Sequence, residues 1–216
     1  QKIILAKGGK GGFGNVKFKS STNRAPRKKT SGSKGESFWI WLQLKVIADI
    51  GIVGMPNSGK SSLLSVLTSA KPKIANYPFT TINPNLGVAS YNDREFTLAD
   101  IPGLIEGAHE GIGLGDKFLR HVERCKNILH LIDITSENFL ENYFKVRKEL
   151  SKYSKKLIKK NEIVVFNKID MMNEKDTKSK KEIFYHKIKK KAYTISALKH
   201  TGLNDLKKNL LMYVYK

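Results

Sequence analysis

The feature that most constrains the fold of this 216-residue chain is a glycine-rich loop, residues 54–61, between two apolar stretches. Residues 45–53 predict a buried strand, and residues 62–70 carry apolar side chains at the spacing of a helix. The loop has the pattern G-x-x-x-x-G-K-S, in which backbone N–H groups face phosphates at the start of a helix. We expect Lys60 to place a positive charge near the β- and γ-phosphates, and the Ser61 hydroxyl to offer an oxygen ligand to Mg²⁺. The segment therefore predicts a phosphate-binding loop in an α/β protein.

A second phosphate-sensing element is predicted 39 residues after Ser61. Residues 95–99 predict a strand, and residues 100–103 follow it with the pattern D-x-x-G. We expect Asp100 to hold Mg²⁺ through water and the Gly103 N–H to meet a γ-phosphate. The pattern is common in ordinary turns, so its weight comes from its place after a strand and after the glycine-rich loop.

Between these two motifs, residues 76–85 are polar and contain two prolines, which disfavours a helix or a central strand. A threonine hydroxyl in such a loop can complete the Mg²⁺ shell only while a γ-phosphate is present, which is how switch loops sense hydrolysis. The alternative is an ordinary surface loop.

The base is predicted from two further strand ends. Residues 163–166 lead into residues 167–170, with the pattern N-K-x-D. The Asp170 carboxylate can accept hydrogen bonds from guanine N1–H and N2–H₂ together, a donor pair that adenine lacks. The Lys168 stem can cover the base. Residues 196–198 follow another predicted strand, and their N–H groups can meet guanine O6. Ligands of doubly wound folds bind at such strand ends.

These motifs together resemble the five nucleotide motifs of translation-factor-type GTPases. More narrowly, residues 8–15, 77–88 and 100–108 are similar to the Obg (CgtA) family, and the likeness spans nearly the whole chain. The resemblance implies a Mg²⁺-dependent GTPase, slow without a partner, that acts as a switch in large ribosomal subunit assembly. It also implies a partner in the large ribosomal subunit or its RNA.

The expected nucleotide-binding residues are Gly54, Met55, Pro56, Asn57, Ser58, Gly59, Lys60, Ser61, Ser62, Phe79, Thr80, Thr81, Ile82, Asp100, Ile101, Pro102, Gly103, Asn167, Lys168, Asp170, Ser196, Ala197 and Leu198. The expected Mg²⁺ ligands are Ser61, Thr81 and Asp100, and the expected catalytic residues are Asn57, Lys60, Thr81 and Gly103.

Leu104 occupies the position where Ras-like enzymes carry a water-orienting glutamine. Leucine cannot orient water, so either turnover is slow or another group positions the nucleophile. GTPases with asparagine at the position of Asn57 resemble a K⁺-dependent group, in which a cation stabilises the transferring phosphoryl. We therefore expect GTP or GDP and Mg²⁺ as ligands, with K⁺ as a further hypothesis.

The N-terminal segment, residues 1–37, is rich in glycine, serine and lysine, with five glycines among residues 8–14. Composition leaves open a flexible basic linker or closely packed, polyproline-II-like chains. Residues 38–44 form an apolar, strand-like run that predicts burial. The family resemblance favours the packed chains and makes residues 1–44 a partial Obg-type glycine-rich domain before a GTPase domain at 45–216. Because the chain begins at Gln1, we expect the rest of that domain upstream, and no further domain after residue 216.

The formal net charge of +21 is concentrated in two segments. Residues 1–45 carry eleven Lys or Arg and one acid, and residues 145–191 carry seventeen and six. The excess favours a polyanionic partner, although a lysine-rich composition alone can also decorate solvated helices. The single cysteine excludes an internal disulfide, and no long apolar run predicts membrane insertion. We expect a cytoplasmic monomer.

Three other residue groups are weaker candidates for function. His109 lies in a glycine-rich run and is either a general base or a solvated loop histidine. Cys125 is expected as a packed thiol of a helix at 116–125. Arg120, His121 and Arg124 share helical spacing there and form either a partner contact or a solvated face.

The fold class predicted from all elements is α/β: a P-loop GTPase domain with a six-stranded, mainly parallel sheet containing one antiparallel strand. The strands are expected near residues 46–53, 86–91, 95–99, 127–133, 162–166 and 192–195, and the helices near 60–69, 116–125, 137–151, 179–190 and 203–215. Two functions remain: a GTPase switch, or an RNA- or ribosome-binding module whose GTP site is hardly turned over. Intact Ser61, Thr81 and Asp100 favour the first, and Leu104 keeps the second open.

Overall fold

The computed structural model describes residues 3–41, 48–68, 73–74, 85–100 and 123–215 of the chain. The chain divides into two compact units, residues 1–43 (unit 1) and residues 44–216 (unit 2). The motifs predicted to bind the nucleotide all belong to unit 2.

In unit 1, two stretches of chain are joined by hydrogen bonds that recur at every third residue. The backbone bonds, 2.9 to 3.0 Å long, run from Thr30 N–H to Phe13 O, from Ser33 N–H to Lys10 O and from Glu36 N–H to Lys7 O. Three residues per turn is the repeat of the polyproline II helix. The described geometry therefore favours packed extended chains over a flexible linker.

Glycine allows these stretches to approach each other. A Cβ atom on Gly9 would lie 1.8 Å from the Ser33 carbonyl oxygen, and one on Gly12 would lie 2.0 Å from the Thr30 carbonyl oxygen. A Cβ on Gly11 would meet nothing within 4 Å. Within residues 8–14 the packing therefore requires glycine at every third residue, Gly9 and Gly12, and on the facing stretch a Cβ on Gly32 would also lie 2.6 Å from the Lys10 carbonyl oxygen.

The prediction that residues 38–44 form a buried, strand-like run is wrong for the part that the structure describes. Residues 38–41 form no strand, and Trp39 and Trp41 are 101% and 99% exposed. The three-residue hydrogen-bond pattern of unit 1 stops at Glu36, so among the described residues no strand pairs with this run.

Unit 2 is built on a twisted sheet with seven described strands. They are β1 (Ala48–Val53), β2 (Lys73–Ile74), β3 (Asn85–Tyr91), β4 (Arg94–Asp100), β5 (Cys125–Asp133), β6 (Glu162–Asn167) and β7 (Ala192–Thr194). Their order is β2-β3-β4-β1-β5-β6-β7. β3 pairs antiparallel with both β2 and β4, and all other pairs are parallel, so only β3 runs against the rest. The predicted fold class is confirmed, and β2 adds a two-residue edge strand to the six that were predicted.

The described helices of unit 2 are α1 (Lys60–Leu67), α2 (Phe139–Tyr153), α3 (Lys155–Ile158), α4 (Glu174–Ile188) and α5 (Leu203–Val214). Short 3₁₀ helices span Asn15–Phe18 in unit 1 and Ile169–Met171 in unit 2. Helix α4 begins five residues before the predicted start because the Asn173 side chain accepts a 2.7 Å hydrogen bond from the Asp176 N–H and caps the first turn. The predicted turn at Asn92 and Asp93 is confirmed: both have positive φ, as a two-residue hairpin with strands of this twist requires.

The predicted helix at 116–125 lies mostly outside the described residues, and its last residue is wrong. Cys125 begins strand β5, where it pairs with Ala48 of β1. The residue belongs to the strand because its backbone pairs with β1 and its side chain is buried in the core, although the polar Lys126 and Asn127 separate it from the apolar run that starts at Ile128. Burial raises the pKa of its thiol to about 12. Cys125 is a packed thiol, as expected, but in a strand.

Apolar side chains from both faces of the sheet form the core. On one face, Leu63, Leu64 and Leu67 of α1 share a buried cluster with Leu206 and Leu210 of α5. Further clusters bury α2, α3 and α4 against the sheet. None of the helices in the described segments is both long and apolar enough to cross a bilayer.

Candidate nucleotide site

The predicted motifs of unit 2 meet at one edge of the sheet. Residues 54–61 follow β1, Asp100 ends β4, residues 167–170 follow β6 and residues 196–198 follow β7. These four strands are parallel, so their carboxyl ends lie on the same side. Helix α1 starts at Lys60 and directs its N-terminus to this edge, where an anion is favoured.

The glycine-rich loop packs tightly against the neighbouring strands. A Cβ atom on Gly54 would lie 2.3 Å from the Leu131 carbonyl oxygen of β5. Gly59 has φ of +92°, and its Cβ would lie 2.4 Å from the Asn167 side-chain nitrogen. Both glycines are therefore required by close approach, and at Gly59 also by backbone conformation.

Lys60 lies across the loop. Its ammonium donates hydrogen bonds to the carbonyl oxygens of Gly54 and Met55, at 3.1 and 3.0 Å. Burial lowers the pKa of Lys60, and the charge of Asp100 acts in the opposite direction. The loop thus holds a largely buried cation where the sequence predicts the β- and γ-phosphates.

Two predicted Mg²⁺ ligands are in direct contact. The Ser61 hydroxyl donates a 2.7 Å hydrogen bond to one oxygen of Asp100. The other oxygen, Asp100 Oδ1, is buried and has no hydrogen-bond partner among the described residues. A carboxylate oxygen without a hydrogen-bond partner, next to a hydroxyl group, is suited to bind a hard cation such as Mg²⁺.

Asn167 joins the phosphate loop to the predicted guanine-binding loop. Its amide nitrogen donates to the Ser58 carbonyl oxygen at 2.9 Å, and its amide oxygen accepts from the Ala197 N–H at 3.0 Å. Asn167 is buried, so both halves of its amide are satisfied inside the protein. The Asn167 side chain therefore links the two loops by hydrogen bonds.

Asp170 is exposed and lies in the short 3₁₀ helix that follows β6. One of its carboxylate oxygens accepts a 2.5 Å hydrogen bond from the Ser196 hydroxyl, which in turn accepts from the Lys199 N–H. The remaining oxygen is available for a ligand. Ser196 thus orients the acid that is predicted to select guanine.

The three N–H groups predicted to meet guanine O6 are not equivalent. The Ser196 N–H donates to Thr201 O, and the Ala197 N–H donates to Asn167. The Leu198 N–H has no acceptor in the described part of the chain, and the Leu198 side chain is 77% exposed. Among the three, only Leu198 therefore retains a free donor.

Asp133, at the end of β5, is a site residue that the sequence analysis missed. One oxygen of its carboxylate lies 2.5 Å from the Lys168 ammonium, and the other accepts from the Thr135 hydroxyl and N–H at 2.6 and 2.9 Å. Burial opposes ionisation, but the hydrogen bonds from Lys168 and Thr135 lower the pKa of Asp133 overall. The sequence contains a signal that could have identified Asp133. It is an acid at the end of a strand, and that strand lies next to the one that carries the N-K-x-D motif.

The other predicted residues differ in exposure or lie outside the described segments. Ser58 is buried with its hydroxyl unpartnered among the described residues, whereas Pro56, Asn57 and Ser62 are exposed. The predicted residues outside the described segments are Phe79, Thr80, Thr81, Ile82, Ile101, Pro102, Gly103, Leu104, His109, Arg120 and His121.

Comparison with known proteins agrees with the motifs. A family model described as 50S ribosome-binding GTPase matches residues 49–168, and a GTP1/OBG model matches residues 1–46. The GTPase Obg of Pelagibacter ubique is 58% identical over 214 residues, which cover 99% of this chain. This chain spans about two thirds of the length of such relatives, 65% for this one.

Solved structures share the fold of unit 2. Era of Aquifex aeolicus, bound to GDP·AlF4⁻, superposes with a TM-score of 0.60 at 27% identity, over 77% of this chain and 56% of its own. Another Era structure, in complex with MgGDPNP and nucleotides of 16S ribosomal RNA, gives a TM-score of 0.59 at 26% identity, over 76% and 55%. Together, the model that matches more than half of the chain and the relatives that span nearly all of it show that this chain belongs to the 50S ribosome-binding GTPase family, in its Obg group.

Proposed function

We propose that this chain binds guanine nucleotides and hydrolyses GTP to GDP and phosphate. The observation that carries the proposal is the contact of Ser61 with Asp100 beside the Lys60 ammonium, at the sheet edge that also carries Asp170. The residues proposed for phosphate and for base binding thus follow strands that end at the same edge of the sheet. The Era structures, which contain GDP·AlF4⁻ or MgGDPNP, support the same use of this fold.

Each residue has a role set by its chemistry. Lys60 and the backbone N–H groups at the start of α1 bind the β- and γ-phosphates and stabilise the charge that develops on them. Asp170 and the Leu198 N–H select guanine, while Lys168 covers the base. Thr81 and Gly103 are proposed, from their motifs alone, to sense the γ-phosphate.

The residues present fit Mg²⁺. The Ser61 hydroxyl and Asp100 are oxygen donors in contact, and the buried Asp100 Oδ1 has no protein partner among the described residues. We propose Ser61, Thr81 and Asp100 as the residues that hold the ion, directly or through water. When bound, Mg²⁺ supplies positive charge to the β- and γ-phosphate oxygens.

Phosphate release with GTP tests the proposal. We expect turnover with GTP and Mg²⁺, little with ATP, and loss of turnover in Lys60→Ala. Lys208→Ala, a matched change at an exposed lysine of α5, should turn over GTP like the parent. If the parent releases no phosphate with or without ribosomal subunits, the alternative of a binding module with an idle GTP site is correct.

We propose K⁺ as a second cation, held by Asn57. This residue has φ of +60° and lies exposed in the phosphate loop, so its amide oxygen is accessible to a cation beside the phosphates. We expect faster turnover in K⁺ than in Na⁺, and loss of that difference in Asn57→Ala. Equal rates of the parent in the two salts would reject the role of Asn57.

We propose that the partner is the large ribosomal subunit or its RNA, in the cytoplasm, and that the protein is a monomer with a partial Obg-type domain at 1–44 and a GTPase domain at 45–216. The family description and the basic segments support this. Co-sedimentation with large subunits should be stronger with a non-hydrolysable GTP analogue than with GDP. Equal sedimentation in the two nucleotide states would contradict a switch.

A further inference from the structure

Strand β7 forms one edge of the described sheet, and two adjoining grooves lie along it, with no lining residue among those predicted to bind the nucleotide. The larger has a volume of about 530 Å³ and is lined by Tyr185 and Lys181 of α4 and by Lys191. The smaller has a volume of about 440 Å³ and is lined by Lys160, Lys190 and Tyr213. Lys191 and Tyr193 line both, so the grooves form one continuous concave surface, here called the edge surface.

Cations dominate the edge surface. Residues 178–191, which border it, contain seven lysines and one acid. Lys181 and Lys191 are exposed, and within the described residues neither ammonium has a carboxylate within ion-pair distance. The acids Glu182 and Asp205 also line the larger groove, so the positive charge is strongest where the grooves meet at Lys191.

One acid of the smaller groove does not oppose this charge. The Glu162 side chain is 1% exposed, and its carboxylate is bound by Lys190 at 2.6 Å and by His130 at 3.0 Å. Lys160 donates to the backbone carbonyl oxygens of Glu123 and Cys125, and the charge of Glu123 also acts on it. Of the lysines that line the smaller groove, Lys191 is therefore the one that is exposed and has no carboxylate within ion-pair distance among the described residues.

Tyrosines lie between these cations. Tyr185 is 47% exposed in the larger groove, and Tyr213 is 36% exposed in the smaller one. Tyr193, at the junction, is held by a hydrogen bond from its hydroxyl to Asn209. Aromatic rings between lysines on a concave surface suit a flexible polyanion with stacking bases, because phosphates meet the ammonium groups while bases stack on the rings. An acidic peptide would use the lysines but has no general need for the rings.

We propose that the edge surface binds single-stranded RNA, with Lys181 and Lys191 on phosphates and Tyr185 stacking on a base. The inference rests on the proposed ribosomal partner, for which it names the contact surface. The RNA contact does not require the nucleotide site, so the two can be tested separately.

The test measures the affinity of the whole chain for a fluorescent oligouridylate of about 12 nucleotides, within the usual site size for single strands. We expect Lys181→Glu/Lys191→Glu to weaken binding at least about tenfold and to reduce the slope of log K against log salt by about 1.4, for two lost phosphate contacts. The control Lys155→Glu/Lys156→Glu makes the same charge change at two exposed lysines of α3 and should weaken binding less than about threefold. Equal losses in the two double variants would overturn the proposal.

The stacking step has its own pair of variants. Tyr185→Ala should weaken RNA binding about tenfold, and Tyr185→Phe, which keeps the ring, should bind like the parent. If both bind like the parent, or if a glutamate peptide of equal charge displaces the RNA as well as unlabelled RNA does, the surface does not recognise RNA. GTP turnover should be unchanged in all four variants. If the parent binds the RNA but releases no phosphate from GTP, the proposed GTPase activity is wrong and the proposed RNA surface stands.

Discussion

Among the single residues, Asp133 is a strand-end carboxylate that holds the side chain of Lys168, the residue proposed to cover the base. Its two oxygens are divided between Lys168 and Thr135, so the acid is fixed by the loop that follows β5 and in turn fixes the lysine. Lys168 itself has φ of +68°, a conformation that a non-glycine residue adopts only when its surroundings hold it. We infer that Asp133 is a positioning residue for Lys168.

Asp133→Asn should therefore weaken guanine nucleotide binding without unfolding the protein. The loss of a charge-assisted hydrogen bond of about 1.5 kcal/mol corresponds to an increase in Kd of about tenfold. Fluorescent GDP titration measures this change. Glu137→Gln removes a negative charge from an exposed position of the same loop and should leave Kd unchanged. A parental Kd in Asp133→Asn would show that Lys168 needs no support from the acid.

A second residue-scale feature is the buried ionic cluster around Glu162. The carboxylate lies near His130, Lys190 and Arg147 and accepts from the Tyr143 hydroxyl at 3.2 Å. Burial raises its pKa, but the hydrogen bond and charge of His130, together with Lys190 and Arg147, outweigh it and lower the pKa to about 2. The Tyr143 ring also stacks on His130, with centroids 5.0 Å apart. The cluster therefore ties β5, α2 and β6 together.

Because the folded pKa of Glu162 lies below its ordinary value of 4.5, its stabilising effect is complete above pH 4.5 and is lost as the pH falls towards 2. Glu162→Gln should lower the free energy of unfolding by about 3 kcal/mol at pH 7, since it removes the buried carboxylate charge that His130, Lys190 and Arg147 face. The difference between the two proteins should shrink as the pH falls below 4.5. Urea unfolding at several pH values measures it, with Glu182→Gln as an exposed control. A difference that is constant with pH would contradict the role assigned to this charge.

Among the elements, the glycine-rich stretch of unit 1 contains glycines that the packing requires and glycines that it does not, a difference that composition alone cannot show. Gly12→Ala places a Cβ 2.0 Å from a backbone oxygen, whereas Gly11→Ala places one in open space. We expect Gly12→Ala to separate the two extended stretches and expose them to proteolysis, while Gly11→Ala resists cleavage like the parent. Limited proteolysis with mapping of cuts in residues 7–36 distinguishes the two. Equal cleavage of both variants would contradict the three-residue packing pattern.

The elements also show what the sequence could and could not predict. The strands of unit 2 were predictable because β1, β5 and β6 are rich in apolar residues, and the hairpin was predictable from Asn92 and Asp93. The start of α4 was missed because one side-chain cap at Asn173 extends a polar helix that has no clear apolar period. The burial of residues 38–41 was wrongly predicted. Their apolar side chains favour burial, but a second element must cover them, and the sequence of this run does not show whether such an element is present. Asp133 was missed because its partner, Lys168, is 35 residues away and comes near only through the pairing of β5 with β6.

At the scale of the whole molecule, the net charge of +21 is not a uniform property. One basic segment belongs to unit 1, and the other surrounds the N-K-x-D motif and continues through α4. The predicted phosphate site itself contains an acid, Asp100, next to Lys60, so its charge is locally balanced for a nucleotide with a divalent cation. The surplus charge therefore lies outside the predicted phosphate site, in the two basic segments.

A nucleotide that binds only the folded chain should raise the free energy of unfolding of the whole of unit 2, and hydrogen exchange can measure this increase. At a GDP concentration of about 100 Kd, the stabilisation is about 2.7 kcal/mol, which slows hydrogen exchange by global opening about a hundredfold. Both tryptophans, Trp39 and Trp41, belong to unit 1, so unit 2 has no tryptophan of its own as a fluorescent probe. Exchange should instead be followed on peptides from β1 and β6.

ADP, which differs from GDP in its base, is the control for guanine recognition. ADP at the same concentration should leave exchange in β1 and β6 unchanged, because Asp170 has no donor pair to accept from on adenine. Asp170→Asn should lose most of the protection by GDP, since the amide offers one acceptor oxygen in place of two and the Ser196 hydroxyl already occupies one oxygen of the carboxylate. Equal protection by ADP and GDP would place the recognition in the phosphate loop alone, and the guanine assignment for residues 167–170 would then be wrong.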